Sequence, residues 1–391
     1  MKLLHVISSM DPKTGGPSQG LRNLNPFLTR SGITVEIVCL DNHNTNYKIE
    51  ENVIIHKIGT GRTSYQYNKK LVRWLSNHIS NFDYISIHGI WQYHNYAVNK
   101  VIKDLKKQNK KVPKVVIMPH GMLDPYFQKS KDRKIKALRN EFIWQITEKH
   151  CINSADAIFF TCQEEMELAK TTFKGYFPKR EINVGYGIQC PPIYNDKMKT
   201  AFEKCCPSIK NKKYWLFLSR IDPKKGIDLL ITVYNELVLE RNDLPELVIA
   251  GPTESNYAKK MIELAKDNNK IHFSGMLISD SKWGAFYNCD TYILPSHQEN
   301  FGIAIVEAMA CKKPVLITKK VNLWREIDEG QGGWIINQPN SSDLKNTLNI
   351  IANLSKSEIE IKGQKANDTF EKNFLVDNCY ENFINGLKSL K

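Results

Sequence analysis

Glu299 and Glu307 are two glutamates with seven residues between them, a spacing that suggests a ligand-binding site. They frame the run ENFGIAIVE, and every residue from 303 to 310 except Glu307 is apolar. A helix of that composition is predicted to be buried nearly all round, where a carboxylate without a partner is costly. We therefore predict a binding role for both glutamates. The alternative is that Glu299 is an ordinary loop acid and Glu307 a solvated helix charge.

The stretch that carries the two glutamates predicts a strand, a loop and a helix. Residues 292–294 are apolar, Pro295 ends the run, and the polar loop that follows closes on Gly302. A helix that begins at the carboxyl end of a parallel strand points unpaired N–H groups into the ligand crevice, and those groups suit phosphate oxygens. A carboxylate on each side of a bound phosphate fits a nucleotide sugar.

Two cations lie on another predicted loop between a strand and a helix. Arg220 and Lys225 belong to the run RIDPKKG, between a strand at 214–218 and a helix at 227–241. A planar guanidinium and a point-like ammonium suit a diphosphate, so we predict a phosphate site, with surface charge at a helix start as the alternative. Gly15 and Gly16 follow the first strand, but their run is not G-x-G-x-x-G, so a dinucleotide interpretation is weak.

Two further predicted strands, at 84–87 and 115–118, lead into His-Gly pairs at His88 and His120. Trp91 and Asp124 lie just beyond those pairs. Because doubly wound sheets bind ligands at the carboxyl ends of their strands, we predict functional roles here rather than turn roles, with His88, Trp91 and Asp124 on the acceptor side. The role of Tyr186 is left open.

The form ENFGIAIVE, followed by AMA and a Pro-Val strand, resembles the signature of glycosyltransferase family 4. That family retains the anomeric configuration and uses nucleotide-sugar donors. The resemblance implies that Glu299 contacts the donor sugar, Glu307 the ribose, and the backbone at 300–303 the diphosphate. The R-x-x-x-x-K-G spacing also matches, and His120 matches a histidine that contacts the donor sugar. The remaining donor contacts that it implies are Gly15, Gly16, Met276, Leu277, Asn300, Phe301, Gly302 and Ile303.

The alternation of strands and helices predicts an α/β fold with parallel sheets, in two series. This resembles the GT-B fold, in which two Rossmann-like domains face each other across a cleft. We predict an acceptor-binding domain at 1–190 and a nucleotide-sugar-binding domain at 191–374. A final helix at about 375–391 is predicted to pack back on the first domain. Residues 190–213 are predicted to be a linker with a short helix.

Composition limits the remaining possibilities. No apolar run approaches a membrane span, and the amino terminus lacks the pattern of a cleavable signal, so a cytoplasmic protein is expected. The nine cysteines include no C-x-x-C pair, and no aspartate lies two residues from another, so we predict neither a cofactor nor a metal. The helix at 135–151 carries Leu138, Phe142, Ile143 and Ile146 at helical spacing and is predicted to be core.

The formal net charge of +14 calls for an acidic partner. Two basic stretches, at 100–114 and 129–139, predict peripheral contact with an anionic membrane, with ordinary solvated helix faces as the alternative. Nucleic acid is not predicted, since the chain has neither a zinc finger nor an aromatic-basic RNA motif.

These patterns together favour a retaining glycosyltransferase that moves a hexose from a UDP or GDP carrier to a glycan or lipid-linked acceptor in cell-envelope polysaccharide synthesis. His120, Glu299, Arg220 and Lys225 are the predicted catalytic residues. No side chain stands out as a nucleophile, and the resemblance implies front-face attack by the acceptor hydroxyl. A nucleotide-sugar epimerase of related fold and a non-catalytic sugar-nucleotide sensor are the alternatives.

Overall fold

The computed structural model describes residues 1–47, 53–130 and 133–390, and the chain divides into two compact units. Unit 1 comprises Met1–Gly187 and Val376–Lys391, and unit 2 comprises Ile188–Leu375. Each unit is built on one parallel sheet with helices connecting the strands.

The sheet of unit 1 has seven described strands in the order β3-β2-β1-β4-β5-β6-β7. Its inner strands are apolar and buried along nearly their whole length, as expected for parallel strands with both faces covered. The strands are β1 Lys2–Ile7, β2 Thr34–Cys39, β3 Ile54–Lys57, β4 Tyr84–His88, β5 Lys114–Met118, β6 Ala157–Phe160 and β7 Glu181–Asn183. The helices are α1 Gly16–Arg30, α2 Lys69–His78, α3 Tyr93–Lys107, α4 Tyr126–Lys129, α5 Lys134–Ile143, α6 Lys149–Ser154 and α7 Gln163–Ala169.

Unit 2 repeats this plan with six strands in the order β10-β9-β8-β11-β12-β13. The strands are β8 Tyr214–Leu218, β9 Glu246–Ala250, β10 Ile271–Gly275, β11 Thr291–Leu294, β12 Val315–Thr318 and β13 Gly333–Ile336. The helices are α8 Asp196–Cys205, α9 Ile227–Glu240, α10 Asn256–Ala265, α11 Ser279–Asn288, α12 Ile303–Ala310, α13 Trp324–Glu329, α14 Ser341–Ala352 and α15 Lys356–Asn373.

The last helix, α16 Val376–Lys388, belongs to unit 1. Its buried side chains Phe383 and Leu387 join a core cluster with residues of β1, β5 and β6, and the ring of Phe383 lies 5.6 Å from that of Phe159. The preceding helix, α15, ends at Asn373, so residues 374–375 separate the two helices.

Each sheet reverses its strand order at one point, and ligands of such sheets bind outside the carboxyl ends of the strands there. In unit 1 the reversal lies between β1 and β4, which pair in parallel with Ile7 opposite His88. In unit 2 it lies between β8 and β11. The fold thus brings the Gly15 loop and His88 to one sheet edge, and the loops of Lys225 and Glu299 to another.

The segment predicted as a linker with a short helix does contain a helix, but assigning residues 196–205 to a linker was wrong. They form helix α8, which packs in unit 2 against α11, with Met198 and Phe202 buried. The close approach depends on a glycine, since a Cβ on Gly284 would lie 2.0 Å from the carbonyl oxygen of Met198. A short polar helix hides such packing at the sequence level because its partner lies about eighty residues away.

The prediction of a buried apolar face on the helix at 135–151 was also wrong. Four side chains that share one face, which we call the α5 stripe, are 87%, 74%, 67% and 54% exposed: Ile135, Leu138, Phe142 and Ile146. The opposite face is buried through Asn140, Trp144 and Glu148. Their polar groups find partners inside: Trp144 Nε1 donates to Lys174 O at 2.9 Å, and Glu148 accepts from Asn95 and from the Trp91 amide. Satisfied polar groups thus replace the apolar face in the core.

None of the helices in the described ranges combines the length and the apolar content needed to cross a bilayer.

Candidate active site

Two loops of unit 2, which we call the donor loops, meet at the carboxyl ends of β8 and β11. They are residues 219–226 and 295–302. The amide of His297 donates to the carbonyl of Lys224 at 2.8 Å. Gly226 makes the contact possible, because it has a φ of +67° and a Cβ there would lie 2.2 Å from the Pro295 carbonyl oxygen.

Lys225 and Glu299, one from each donor loop, form a buried ion pair. Burial and the neighbouring charges of Lys224 and Arg220 lower the pKa of Lys225 to about 7, and Asp222 opposes this in part. The contact with the Glu299 carboxylate also favours the charged ammonium. Arg220 lies on the same loop with an exposed side chain. The structure therefore brings three of the predicted catalytic residues to the donor loops.

The second donor loop ends at Gly302, the N-cap of α12, which has a φ of +73° and no side-chain cap. The first N–H groups of this helix are available to an anion. The loop is fixed from behind, since Glu299 N donates to Lys320 O and Asn322 N donates to Glu299 O, both at 2.9 Å. The side chain of Asn322 donates to Asn300 Oδ1 at 3.1 Å.

Phe301 is buried, and its ring meets Phe374 edge-on with a centroid distance of 5.7 Å. Only its backbone is therefore suited to a ligand contact. Of the two predicted donor contacts that follow β10, Met276 is 69% exposed whereas Leu277 is buried.

Glu307 is paired with Lys282, a residue of α11 that the sequence reasoning missed. Lys282 Nζ lies 2.8 Å from Glu307 Oε1 and 4.0 Å from the centre of the Trp283 ring. Burial raises the pKa of Glu307, and the charge of Lys282 opposes that shift. The buried carboxylate of Glu307 thus has an ion-pair partner within the protein, and its contact with a ribose stays a prediction.

In unit 1, Gly15 caps helix α1 with a φ of +99°, and Gly16 is the first residue of that helix. Nothing lies within 4 Å of a Cβ placed on either glycine, so the loop surface is open to a ligand. Tyr186 lies beside this loop. Its hydroxyl donates to Gly16 O at 2.7 Å, and its ring occupies the space where Gly20 lacks a side chain. Tyr186 therefore holds the first turns of α1.

The two His-Gly pairs are brought together by the adjacency of β4 and β5. His88 Nδ1 lies 3.0 Å from His120 Nε2, and His88 Nε2 lies 2.9 Å from Nδ1 of His5, a residue of β1 that the sequence reasoning missed. His120 has a φ of +52°. The buried Glu165 carboxylate fixes the turn, accepting from Gly121 N at 2.5 Å and from Thr161 N at 2.8 Å.

Trp91 and Asp124 have structural partners. Trp91 N donates to Glu148 Oε1 at 3.1 Å, its Nε1 donates to Met122 O at 3.3 Å, and its ring packs against Phe173. Asp124 is buried and accepts from the backbone N–H of Tyr126, the first residue of α4, at 2.8 Å. Trp91 also lines a cavity.

That cavity, within unit 1, has a volume of about 1050 Å³. Its polar part is formed at the strand ends by Ser8, Ser9, Asp41 and His88. Its other side includes Arg133, Arg139 and two members of the α5 stripe, Phe142 and Ile146. In the described ranges, no group of three or more His, Cys, Asp or Glu side chains is arranged to hold a metal ion.

Two family models match the chain, Glycosyltransferase Family 4 over residues 14–186 and Glycosyl transferases group 1 over residues 200–367. The O-antigen chain mannosyltransferase C of Escherichia coli is 20% identical over 393 residues, which cover 98% of this chain and 97% of that protein. The lipopolysaccharide 1,2-N-acetylglucosaminetransferase of Salmonella typhimurium is 28% identical over 57% of this chain. The chain spans 29% to 60% of the length of three curated relatives, the Salmonella enzyme among them.

Among solved structures, Anabaena HepE in complex with UDP and glucose aligns over 100% of both chains with a TM-score of 0.74 and 17% identity. This likeness and the two parallel sheets define the class of fold, and they confirm the prediction of an α/β protein with two Rossmann-like domains of the GT-B kind. The chain belongs to the group 1 glycosyltransferases of family 4, which confirms the resemblance carried by ENFGIAIVE.

Proposed function

We propose that this protein is a retaining glycosyltransferase that transfers a hexose from a UDP- or GDP-linked donor to a glycan or lipid-linked acceptor in cell-envelope polysaccharide synthesis. The observation that carries the proposal is the pairing of Lys225 with Glu299 across the donor loops, at the switch point of unit 2. Relatives named as an O-antigen mannosyltransferase and a lipopolysaccharide N-acetylglucosaminetransferase support the substrate class.

In this proposal, unit 2 holds the donor and unit 1 the acceptor. Arg220, Lys225 and the N–H groups at the start of α12 bind the diphosphate, on which negative charge grows as the glycosidic bond breaks. Fixed positive charges aimed at that developing charge are usually the largest catalytic contribution. Glu299 binds sugar hydroxyls, Glu307 binds the ribose, and His120 contacts the sugar. The acceptor hydroxyl attacks from the face that the diphosphate leaves.

The large cavity of unit 1 supports an acceptor that is partly polar and partly apolar, since hydroxyl and carboxylate groups line one part and the α5 stripe borders another. The exposed cations Lys134, Lys136 and Arg139 flank the stripe. An apolar helix face with basic flanks suits the surface of an anionic bilayer. We therefore propose peripheral membrane contact through α5, assisted by the lysines of α3. Lys131, also part of the predicted basic stretch, lies outside the described residues.

The test begins with binding of UDP- and GDP-sugars, measured by saturation-transfer NMR and thermal shift, followed by turnover with the donor that binds. Glu299→Gln should reduce turnover about a hundredfold or more while the protein stays folded. Glu254→Gln, an exposed glutamate of unit 2, is the matched control. Turnover at the wild-type rate by folded Glu299→Gln would remove that residue from the site.

The same assay separates the other activities. Isomerisation of the nucleotide sugar without acceptor would indicate an epimerase, and binding without turnover of any kind would indicate a sensor.

We also propose that catalysis needs no divalent metal, because Arg220 and Lys225 neutralise the leaving group. Excess EDTA should leave the rate almost unchanged, and a rate lost with EDTA and restored by magnesium or manganese would contradict this account.

A further inference from the structure

Three histidines of unit 1 lie in a row across three neighbouring strands, and we call them the histidine chain. His5 is on β1, His88 ends β4, and His120 follows β5. The nitrogen distances along the chain are 2.9 Å and 3.0 Å, and Ser86 Oγ lies 3.1 Å from the His88 nitrogen that faces His5. The nitrogens pair one with the next instead of converging on one point, which is the geometry of hydrogen bonds and not of a metal site.

The rings of the chain are neutral. Burial lowers the pKa of His5 to about 3 and that of His120 to about 4, and it holds the pKa of His88 well below its usual value, with His5, His120 and His94 adding to the shift. A neutral imidazole has one N–H and one lone pair. Each N···N contact therefore needs an N–H on one side and a lone pair on the other, so the three tautomers can change only together.

Two arrangements satisfy both contacts. In the first, His120 Nε2–H donates to His88, His88 Nε2–H donates to His5, and the proton of His5 is on Nε2. In the second, every proton is on the other nitrogen and every bond points the opposite way. The remaining ring nitrogen of His120, Nδ1, makes no hydrogen bond with any described residue. It accepts a hydrogen bond in the first arrangement and donates one in the second.

The end of the histidine chain at His5 selects between these two tautomer arrangements. His5 Nε2 and Asn25 Oδ1 are both buried, and neither has a hydrogen-bond partner among the described residues. The Asn25 side chain is near enough to raise the pKa of His5 against the effect of burial. The two atoms are not hydrogen-bonded to each other, but a proton on His5 Nε2 makes a donor available at this end, whereas a lone pair there leaves two buried acceptors without a donor, which is costly. The first arrangement is therefore the more stable.

We propose that Asn25, His5 and His88 are positioning residues that fix the tautomer of His120, so that His120 carries its proton on Nε2 and presents the lone pair of Nδ1 to a hydroxyl donor. This inference deepens the proposed function, which places a sugar at His120, but the tautomer itself is a property of the free protein. His94 stands outside the chain, since its Nε2 donates to the His88 carbonyl at 3.0 Å.

The test is long-range ¹H–¹⁵N NMR of the full-length protein labelled at histidine, with the His120 signals assigned from a His120→Gln spectrum. The wild type should show His120 with the proton on Nε2. Asn25→Leu removes the acceptor at the far end and should move His120 toward the Nδ1–H form, and His88→Phe should uncouple it. Asn23→Leu, on the same helix and bonded to Gln19 and Gly187, should change nothing.

A His120 that carries its proton on Nδ1 in the wild type would overturn the proposal, and so would a His120 tautomer that is the same in folded Asn25→Leu as in the wild type. The wild-type measurement decides even where a variant does not fold. Turnover then tests the link to the sugar: folded Asn25→Leu should lose about tenfold in kcat with little change in KM, the loss expected from one misdirected hydrogen bond. Tautomer coupling with unchanged turnover would retain the chain and remove His120 from the proposed sugar contact.

Discussion

The two glutamates of the ENFGIAIVE run each have a lysine partner, but the surroundings of the two lysines differ. Lys225 is buried and lies near Lys224 and Arg220, whereas Lys282 is half-buried against the Trp283 ring. Burial and nearby cations lower the pKa of a lysine, so its charged form is stabilised most when an anion binds beside it. This makes Lys225 the residue whose charge is most sensitive to a bound diphosphate.

We predict that UDP, used as a probe, binds more weakly as the pH rises from 7 to 9. The pKa of Lys225 is lowered to about 7 by burial and by neighbouring cations, so the ammonium is lost through this range, while the terminal phosphate of UDP, with a second pKa of about 6, is already mostly ionised. The loss approaches about tenfold per pH unit at most. Calorimetric titration measures the UDP affinity.

The contribution of Lys225 to folding stability has the opposite dependence on pH. Its pKa is lower in the folded state than in the unfolded state, so that contribution rises with pH above 7.

Lys225→Arg is the matched variant, because a guanidinium stays charged throughout this range. Its UDP affinity should be flat between pH 7 and pH 9. Equal pH dependence in the wild type and in Lys225→Arg would assign the effect to another group.

Sequence reasoning predicted roles for Glu299, Glu307 and Lys225 because each belongs to a short motif whose spacing is visible along the chain, ENFGIAIVE for the glutamates and RIDPKKG for the lysine. It missed Lys282, which comes from α11 and reaches Glu307 only in the folded unit. His5 and Glu165 were missed for the same reason: each looks like an ordinary member of a strand or a helix, and the strand-end residue that it contacts, His88 for His5 and Gly121 for Glu165, lies more than forty positions away along the chain. Motifs reveal local loops, whereas the groups that support them are set by tertiary contacts.

At the scale of elements, α5 shows that a periodic pattern identifies a face without telling which way it points. Apolar residues three and four positions apart do share one side of the helix, as the spacing predicts. The side chains that turn inward are Asn140, Trp144 and Glu148, and the polar atoms of Trp144 and Glu148 are hydrogen-bonded to Lys174 O and to the Trp91 amide. By contrast, the strands β5, β8 and β11 were predicted to within one residue, because continuous apolar runs leave no choice of face.

We predict that Leu138→Gln combined with Phe142→Gln strongly weakens binding to anionic vesicles. Burying each of these side chains contributes about 1.5–3 kcal/mol, so the loss should exceed roughly a hundredfold. Both side chains are mostly exposed, so the free energy of unfolding should change by no more than about 0.5 kcal/mol for each. Vesicle flotation at two salt concentrations measures the binding.

Lys134→Gln with Lys136→Gln should instead reduce only the salt-sensitive part, by about 1 kcal/mol for each lysine. Leu239→Gln, an equally exposed apolar position in unit 2, is the control. Vesicle binding that is the same in all of these variants would exclude α5 from the membrane contact.

At the scale of the whole molecule, unit 1 is formed by two separate segments of the chain, one before and one after unit 2. Helix α16 returns after all of unit 2 and covers a face of the first sheet, with Phe383, Ile384, Leu387 and Leu390 buried in the core of unit 1. Tyr380 adds a ring contact to Phe27 of α1 at 5.5 Å. Unit 1 therefore needs helix α16 for part of its core, whereas unit 2 is formed by one continuous segment.

We predict that deleting residues 376–391 abolishes the cooperative unfolding of unit 1 and spares that of unit 2. Removing several large buried side chains, at about 2–5 kcal/mol each, exceeds the roughly 5–15 kcal/mol that stabilises a typical domain. Calorimetry should show one transition in place of two, at the temperature found for an isolated 188–375 fragment. A truncated chain that keeps both transitions would show that α16 is dispensable.

The late return of α16 also sets an order of events during synthesis. A ribosome makes residues 1–187, then all of unit 2, and only after that helix α16. Unit 2 has its whole sequence before unit 1 does, although unit 1 is begun first. While unit 2 is being translated, the apolar sheet face awaiting Phe383 and Leu387 stays uncovered, so a nascent or prematurely terminated chain exposes a surface that chaperones and proteases bind.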